Sequence, residues 1–236
     1  MKKQILIVVL IFTLIFFVMV FIAAKNNRSM LTSLSVGDVK TVIIDAGHGG
    51  FDGGAVAADG TVEKDINLSI AQKLNMVMSF LGYDTIMTRN DDISVHDEGA
   101  STVRQKKVSD IHNRMKITQD NPDSVFVSIH QNFYSDPAQK GTQVFYSKNN
   151  VGSLSLAQSI QDSVVEKIQP ENKRAVKASG TEIYLLYYAS VPSVLVECGF
   201  ISNPSETRLL KDESYQKNMS MAIASGICSY LTNSEA

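Results

Sequence analysis

Only two cysteines, Cys198 and Cys228, occur in the 236 residues, too few for a disulfide framework. A single bridge is compatible with an oxidising compartment, but their spacing does not demand one, and two buried thiols are expected. Charge of one sign is equally scarce. Lys and Arg number 22 against 24 Asp and Glu, for a formal net charge of -2, and no basic block exceeds a few residues. Nucleic acid is therefore not expected as a main partner. Neither a GxGxxG nor a GxxxxGK[ST] pattern occurs, so no nucleotide fingerprint is present, and the missing GxSxG elbow leaves a Ser/His/Asp hydrolase unsupported. Internal repeats and low-complexity tracts are absent too.

What remains is a chain of ordinary globular composition, 44% hydrophobic and 19% charged, long enough for one sizeable domain and an appendage. The appendage comes first. After Lys2 and Lys3, the run from Ile5 to Ala24 is uncharged and interrupted only by Thr13. As a helix it would reach roughly 30 Å, about one bilayer hydrocarbon core. It is long for the hydrophobic region of a signal peptide, and Ala23 and Ala24 make only a weak cleavage site. Residues 1–24 therefore read as an N-terminal transmembrane helix, either a membrane anchor or an uncleaved signal. If they are cleaved, the protein is secreted. Residues 25–39 read as a polar stalk, and 40–236 as the globular domain. Lys2 and Lys3 on one side are matched by Lys25 and Arg28 on the other, so charge alone does not orient the span.

Within the domain, Thr41–Ile44, Val125–Ile129 and Val194–Val196 are short apolar runs rich in β-branched residues, suited to strands buried on both faces. Thr85–Met87 and Thr142–Tyr146 are two further strand candidates. Helical spacing links Ile66, Ile70, Leu74, Val77, Met78 and Leu81, with Gly82 as the stop. Residues 102–119, 153–168 and 214–231 also read as helices, the last with Met219, Ile223, Ile227 and Tyr230 or Leu231 along one side. Strands alternating with helices predict a single α/β domain with a mostly parallel twisted sheet flanked by helices. The polar stretch 89–101 lacks an apolar period and reads as a long surface loop, or as a flap beside a site.

A few polar residues fall where such a fold gathers ligands. His48 follows the first strand after three residues, His130 stands at the end of the second apolar run, and Glu197 at the end of the third. In open α/β sheets, ligands bind beyond the carboxyl ends of the strands. Glu63 joins them through helical geometry. Positions 63 and 70 lie only about 20° apart around a helix axis, so Glu63 continues the apolar stripe. A carboxylate there must be paired, hydrogen-bonded or metal-bound. Two imidazoles and one carboxylate make the donor set of a catalytic zinc site, and a second carboxylate then serves as acid and base. Spacing leaves open which of Glu63 and Glu197 takes which part. His96, in the charged loop, and His112, on a polar helix start, are read as ordinary surface residues. Cys198 should face away from whatever Glu197 faces, since neighbouring strand residues point to opposite sides. The glycines of 47–54 bring backbone close to a ligand around His48.

These segments resemble the zinc N-acetylmuramoyl-L-alanine amidases of the type-3 amidase family. The likeness runs through Ile43–Gly50 with Asp52, Gly54 and Ala55, then Glu63–Leu68, Thr88–Arg89, Arg114, Ser128–Asn132 and Leu195–Asn203, spanning roughly 41–231 in order. The resemblance implies that His48, Glu63 and His130 bind Zn2+ and that Glu197 is the catalytic carboxylate. The implied substrate is peptidoglycan, at the amide joining the muramic acid lactyl group to L-alanine of the stem peptide. It also implies a catalytic domain outside the cytoplasmic membrane, N-terminus inside.

Two departures stand out: Gln131 replaces a small residue, and Cys198 stands where valine is usual. No room exists between 146 and 153 for the inhibitory helix of cell-division relatives. An anchor plus a bare catalytic domain looks like the spore-cortex, germination-specific amidases, which remove stems so that muramic-δ-lactam can form; some of those depend on a lipoprotein partner. Two other readings compete: a non-catalytic, membrane-tethered peptidoglycan-binding module, and a zinc carboxypeptidase or deacetylase acting on the same polymer.

Overall fold

The computed structural model describes residues 41–233. The expected anchor at 1–24 and stalk at 25–39 lie outside them. Among the described residues, no helix is long and apolar enough to cross a membrane.

Six strands form one sheet: β1 (Thr41–Ala46), β2 (Asp84–Met87), β3 (Ser124–Asn132), β4 (Gln143–Tyr146), β5 (Lys177–Ala178) and β6 (Ser193–Phe200). Their order is β2-β1-β3-β6-β4-β5. The first four in that row run parallel, and β4 turns antiparallel to β6, carrying β5 with it. The sheet is thus the mostly parallel one expected, with a reversed edge that the sequence did not signal.

Helices cover both faces. On one side lie α1 (Glu63–Phe80), α3 (Gly152–Lys167) and α6 (Glu213–Asn233), with α5 (Pro204–Lys211) at their margin. Their stripes meet alternate residues of the strands: Ile66, Ile70, Leu74 and Met78 of α1, and Met219, Ile223, Ile227 and Leu231 of α6, pack with Val125, Val127, Ile129, Val194 and Val196. Fully burying one such side chain contributes about 1.5–3 kcal/mol, so these stripes fix which face of each helix turns inward. The other face carries a smaller cluster, in which Met115 of α2 (Val103–Gln119) and Leu185 of α4 (Tyr184–Tyr188) meet Ile43 and Phe126. A capping box between Thr102 and Gln105 opens α2. Residues 147–151 alone join β4 to α3, so the described domain has no helical insertion there.

One detail of the sheet sets up the site. His130 and Glu197 were expected at the ends of their strands, but both lie inside, because β3 continues to Asn132 and β6 to Phe200. They are register partners on neighbouring parallel strands, and so share a face about 4.8 Å apart along the hydrogen-bonding direction. The register slips immediately afterwards, between His130 and Asn132. Such irregularities re-aim side chains beside sites.

Candidate metal centre

Three elements deliver three donors to one point. His48 sits in the glycine-rich turn after β1 with φ 61°, the only non-glycine residue described with positive φ. A left-handed residue that is not glycine is strained unless its surroundings hold it. Here they do. Gly49 and Asp52 exchange backbone hydrogen bonds across the turn. The guanidinium of Arg114 donates to the His48 carbonyl (2.7 Å), and Arg89 and Arg114 both donate to that of Ala46 (2.9 Å each).

Glu63 is the first residue of α1. The helix has no side-chain cap; instead the N–H groups of Glu63 and Lys64 donate to the carbonyls of Ala55 and Gly53. This docks the helix start onto the glycine turn. Gly54 is needed at that junction, since a Cβ there would lie 2.5 Å from Glu63 Oε2 and 2.7 Å from His48 Cδ2, at φ +70°.

The ligand-capable atoms of His48, Glu63 and His130 all lie within 4.8 Å of one another, the one such group among the described residues. His48 Nε2 is 3.4 Å from Glu63 Oε2, and His130 Nδ1 is 3.0 Å from Glu63 Oε1. Donors placed about 2.1 Å from a tetrahedral ion stand roughly 3.4 Å apart, so the spacing suits one small cation. His48 Nδ1 faces Asp52 Oδ2 at 2.9 Å, which leaves Nε2 turned to the cluster. Lys107 lies on the other oxygen of Asp52, at 3.0 Å.

The electrostatics agree with that geometry. Burial raises the Glu63 carboxyl, but the imidazoles of His130 and His48 outweigh it and hold the carboxyl far below its ordinary value. Burial lowers His48, yet hydrogen bonds to Asp52 and Glu63 push it up to about 9. An ionised carboxylate between two imidazoles favours positive charge at this point.

Glu197 behaves differently. It is half-buried beside the cluster, and burial, with the negative charge of Glu63 adding, pushes its carboxyl up to about 7 against the opposing imidazoles. Its Oε2 is buried without a hydrogen-bond partner among the described residues. A carboxyl poised near neutrality with an unengaged oxygen suits proton transfer.

Asp45 anchors the surroundings. It is buried below the turn and accepts from Thr88, Ser128 and Arg114. Burial raises its carboxyl, and the Arg114 charge together with these bonds lowers it further than burial lifts it. The loop at 89–101 is likewise built in. Asp92 accepts from the Gly50 N–H and from Lys64, while Asp110 of α2 accepts from Ser94 and Val95. His96 packs edge-on against Phe51, and His112 lies tilted against Tyr184; neither joins the cluster. Cys198 is buried in the core on the opposite face, and both cysteines are free, Cys228 being only half-buried. A cleft of about 190 Å³, walled by Phe51, Asp52, Lys107 and Leu185, opens onto both histidines. A larger hollow of about 510 Å³ around Gln169 and Arg174 is lined by two carboxylates, Glu171 and Glu206, the latter already engaged by the N–H groups of Gly141 and Phe200.

Sequence reasoning named His48, Glu63, His130 and Glu197, which the structure brings together, but assigned no role to Asp52, Asp45, Arg89 or Arg114. Asp52, four residues after His48 within a glycine turn, carried a usable signal. The others reach the end of β1 and the turn across 42–69 residues of chain, where no local pattern exists.

The chain is similar to known proteins over most of its length. The germination-specific N-acetylmuramoyl-L-alanine amidase of Bacillus subtilis (strain 168) is 33% identical over 193 residues, covering 82% of this chain and 80% of the relative. The CwlD amidase from Clostridioides difficile, solved in complex with the GerS lipoprotein, superposes with a TM-score of 0.79 at 43% identity, covering 82% of this chain and 99% of that one. The amidase AmiC2 of Nostoc punctiforme gives 0.70 at 30% identity, over 84% and 99%. With residues 42–229 matching the family model described as N-acetylmuramoyl-L-alanine amidase, this chain belongs to that family, and its likeness within it extends to the germination-specific and CwlD enzymes.

Proposed function

We propose that this chain is a zinc-dependent amidase that hydrolyses the bond between N-acetylmuramic acid and L-alanine of peptidoglycan stems, with His48, Glu63 and His130 holding the ion and Glu197 as acid and base. The observation that carries this reading is the convergence of two imidazoles and a carboxylate within 4.8 Å, beside a glutamate held near neutrality. Two nitrogens and one carboxylate oxygen fit a catalytic zinc ion and leave its fourth position open. When bound, the ion polarises the scissile carbonyl and lowers the pKa of water towards about 7.

The chain's own residues do the rest. Asp52 accepts the Nδ1–H of His48, fixing the tautomer that keeps Nε2 available. Ionised Glu197 takes a proton from the water that attacks the lactyl carbonyl carbon. Protonated Glu197 then gives that proton to the alanine nitrogen as the C–N bond breaks, releasing a lactyl carboxylate and a free amine. Phe51 and Leu185 give the cleft beside the reacting groups an apolar wall.

The likeness to a germination-specific enzyme supports a place in spore-cortex maturation, where stem removal precedes muramic-δ-lactam formation. Because the C. difficile relative was solved with a lipoprotein, we infer a lipoprotein partner for this chain as well. The substrate lies outside the cytoplasmic membrane, which supports residues 1–24 as an anchor with the catalytic domain outside, or a secreted enzyme if they are removed.

Digestion of purified peptidoglycan by the full chain, with and without chelator, tests the reading by mass spectrometry. Whole stem peptides should be released, lost on chelation and restored by zinc. Loss of terminal alanine alone, of acetyl groups alone, or wall binding without any release would each replace it.

A further inference from the structure

Glu63 is held by more than its imidazole neighbours. Its Oε2 accepts the Ala55 N–H at 2.8 Å, and its Oε1 accepts the Gln131 N–H at 3.1 Å and the Asn67 Nδ2 at 3.2 Å. Asn67 stands four residues after Glu63 on α1, hence on the same helical side. It also donates from Nδ2 to the Gly47 carbonyl at 3.2 Å, and its Oδ1 accepts from Gln131 Nε2 at 3.1 Å. All three groups are almost wholly buried.

The orientations are forced. Asn67 faces a carboxylate and a carbonyl, both acceptors, so its NH2 must point there and its oxygen must point to Gln131. Gln131 must then turn its own NH2 to Asn67. Its Oε1 is left buried with no donor among the described residues. The Cys198 sulfur lies 3.8 Å from the Val196 carbonyl, and its side-chain contact with Gln131 acts to lower the thiol pKa, as accepting an amide N–H would, so it points to the Gln131 nitrogen rather than to Oε1. A buried acceptor without a donor is unfavourable, and an apolar residue at 131 would only move it from Gln131 Oε1 to Asn67 Oδ1. What the amide at 131 provides is a fixed Asn67 and, through it, a fixed Glu63.

We infer that Asn67 and Gln131 are positioning residues that pre-set the Glu63 carboxylate for the metal ion and so raise the affinity of the site. An unheld glutamate would lose rotamer freedom on binding; this one has already lost it on folding. The inference rests on reading His48, Glu63 and His130 as metal ligands.

The test is zinc affinity, measured on the full chain by competition with a chromophoric chelator, alongside the Tm of the metal-free protein. Gln131→Leu and Asn67→Ala should each bind zinc about 10–100-fold more weakly. The metal-free Tm of Gln131→Leu should stay at the wild-type value, because the Gln131 orphan disappears as Asn67 Oδ1 loses its donor. Wild-type affinity in both variants would overturn the inference, as would a Gln131→Leu protein whose affinity and Tm fall together. His130→Ala separates the two levels: if it binds zinc as tightly as wild type, the metal-site reading itself fails.

Discussion

Glu197 and Glu63 are both glutamates beside the same two histidines, yet their surroundings drive them apart. Glu63 accepts hydrogen bonds at both oxygens and stays ionised, whereas Glu197 keeps a buried oxygen unengaged and sits near pH 7. Replacing Glu197 with Gln should therefore leave zinc affinity within a few-fold of wild type. It should lower kcat on peptidoglycan by about 10²–10⁴, the usual contribution of acid and base catalysis. Steady-state kinetics with a parallel zinc titration check this, and near-normal turnover would remove Glu197 from the mechanism. At this scale the sequence was informative wherever a polar residue broke an apolar pattern: His130 and Glu197 after β-branched runs, Glu63 on an apolar stripe. Asp45 and Arg114 entered only as parts of the family resemblance, without a role, because their importance comes from partners far along the chain. Gln131, marked only as a departure from the family pattern, gains its meaning from Asn67 across the β3–α1 contact.

The elements show what apolar patterning can and cannot locate. Strand cores were legible because they are buried on both faces. Their ends were not, since β3 and β6 continue as His130-Gln131-Asn132 and Glu197-Cys198-Gly199-Phe200, where the site interrupts the pattern. The short α4 and α5, and two-residue β5, are too brief to show a period, and the reversal of β4 leaves no trace in composition. The helices whose stripes were legible also pack closely. At the α3–α6 crossing, a Cβ on Gly226 would lie 2.5 Å from Ile160 Cα and 2.7 Å from the Ser159 carbonyl, and backbone cannot swing aside. Overpacking of about 1–3 kcal/mol should outweigh the roughly 1 kcal/mol that alanine gains over glycine within a helix. Gly226→Ala should thus lower Tm by a few degrees without changing activity per folded molecule. Thermal unfolding followed by circular dichroism decides it, and an unchanged or raised Tm would show that the helices can part.

For the whole molecule, the buried Asp45–Arg114 pair joins β1 to α2 under the site turn. Asp45 has a folded-state carboxyl below its unfolded value of about 4, so its stabilisation is present above that value. It is lost as the pH falls through the lower folded value. Breaking a buried pair by removing one partner costs on the order of 3 kcal/mol. Asp45→Asn should accordingly be less stable than wild type at pH 7, with the difference shrinking below about pH 4. Urea unfolding of the metal-free proteins across pH 2–8 measures that difference, and parallel curves throughout would assign the stability to other groups.

The central claim is spatial: one ion is held by a turn residue, a helix-start residue and a strand residue. Anomalous diffraction at the zinc edge, from crystals of the zinc-loaded protein, tests it most directly. The account predicts one strong peak about 2.0–2.2 Å from a nitrogen of His48, a nitrogen of His130 and an oxygen of Glu63. A peak bound elsewhere, or none in a protein that still releases stem peptides, would contradict it.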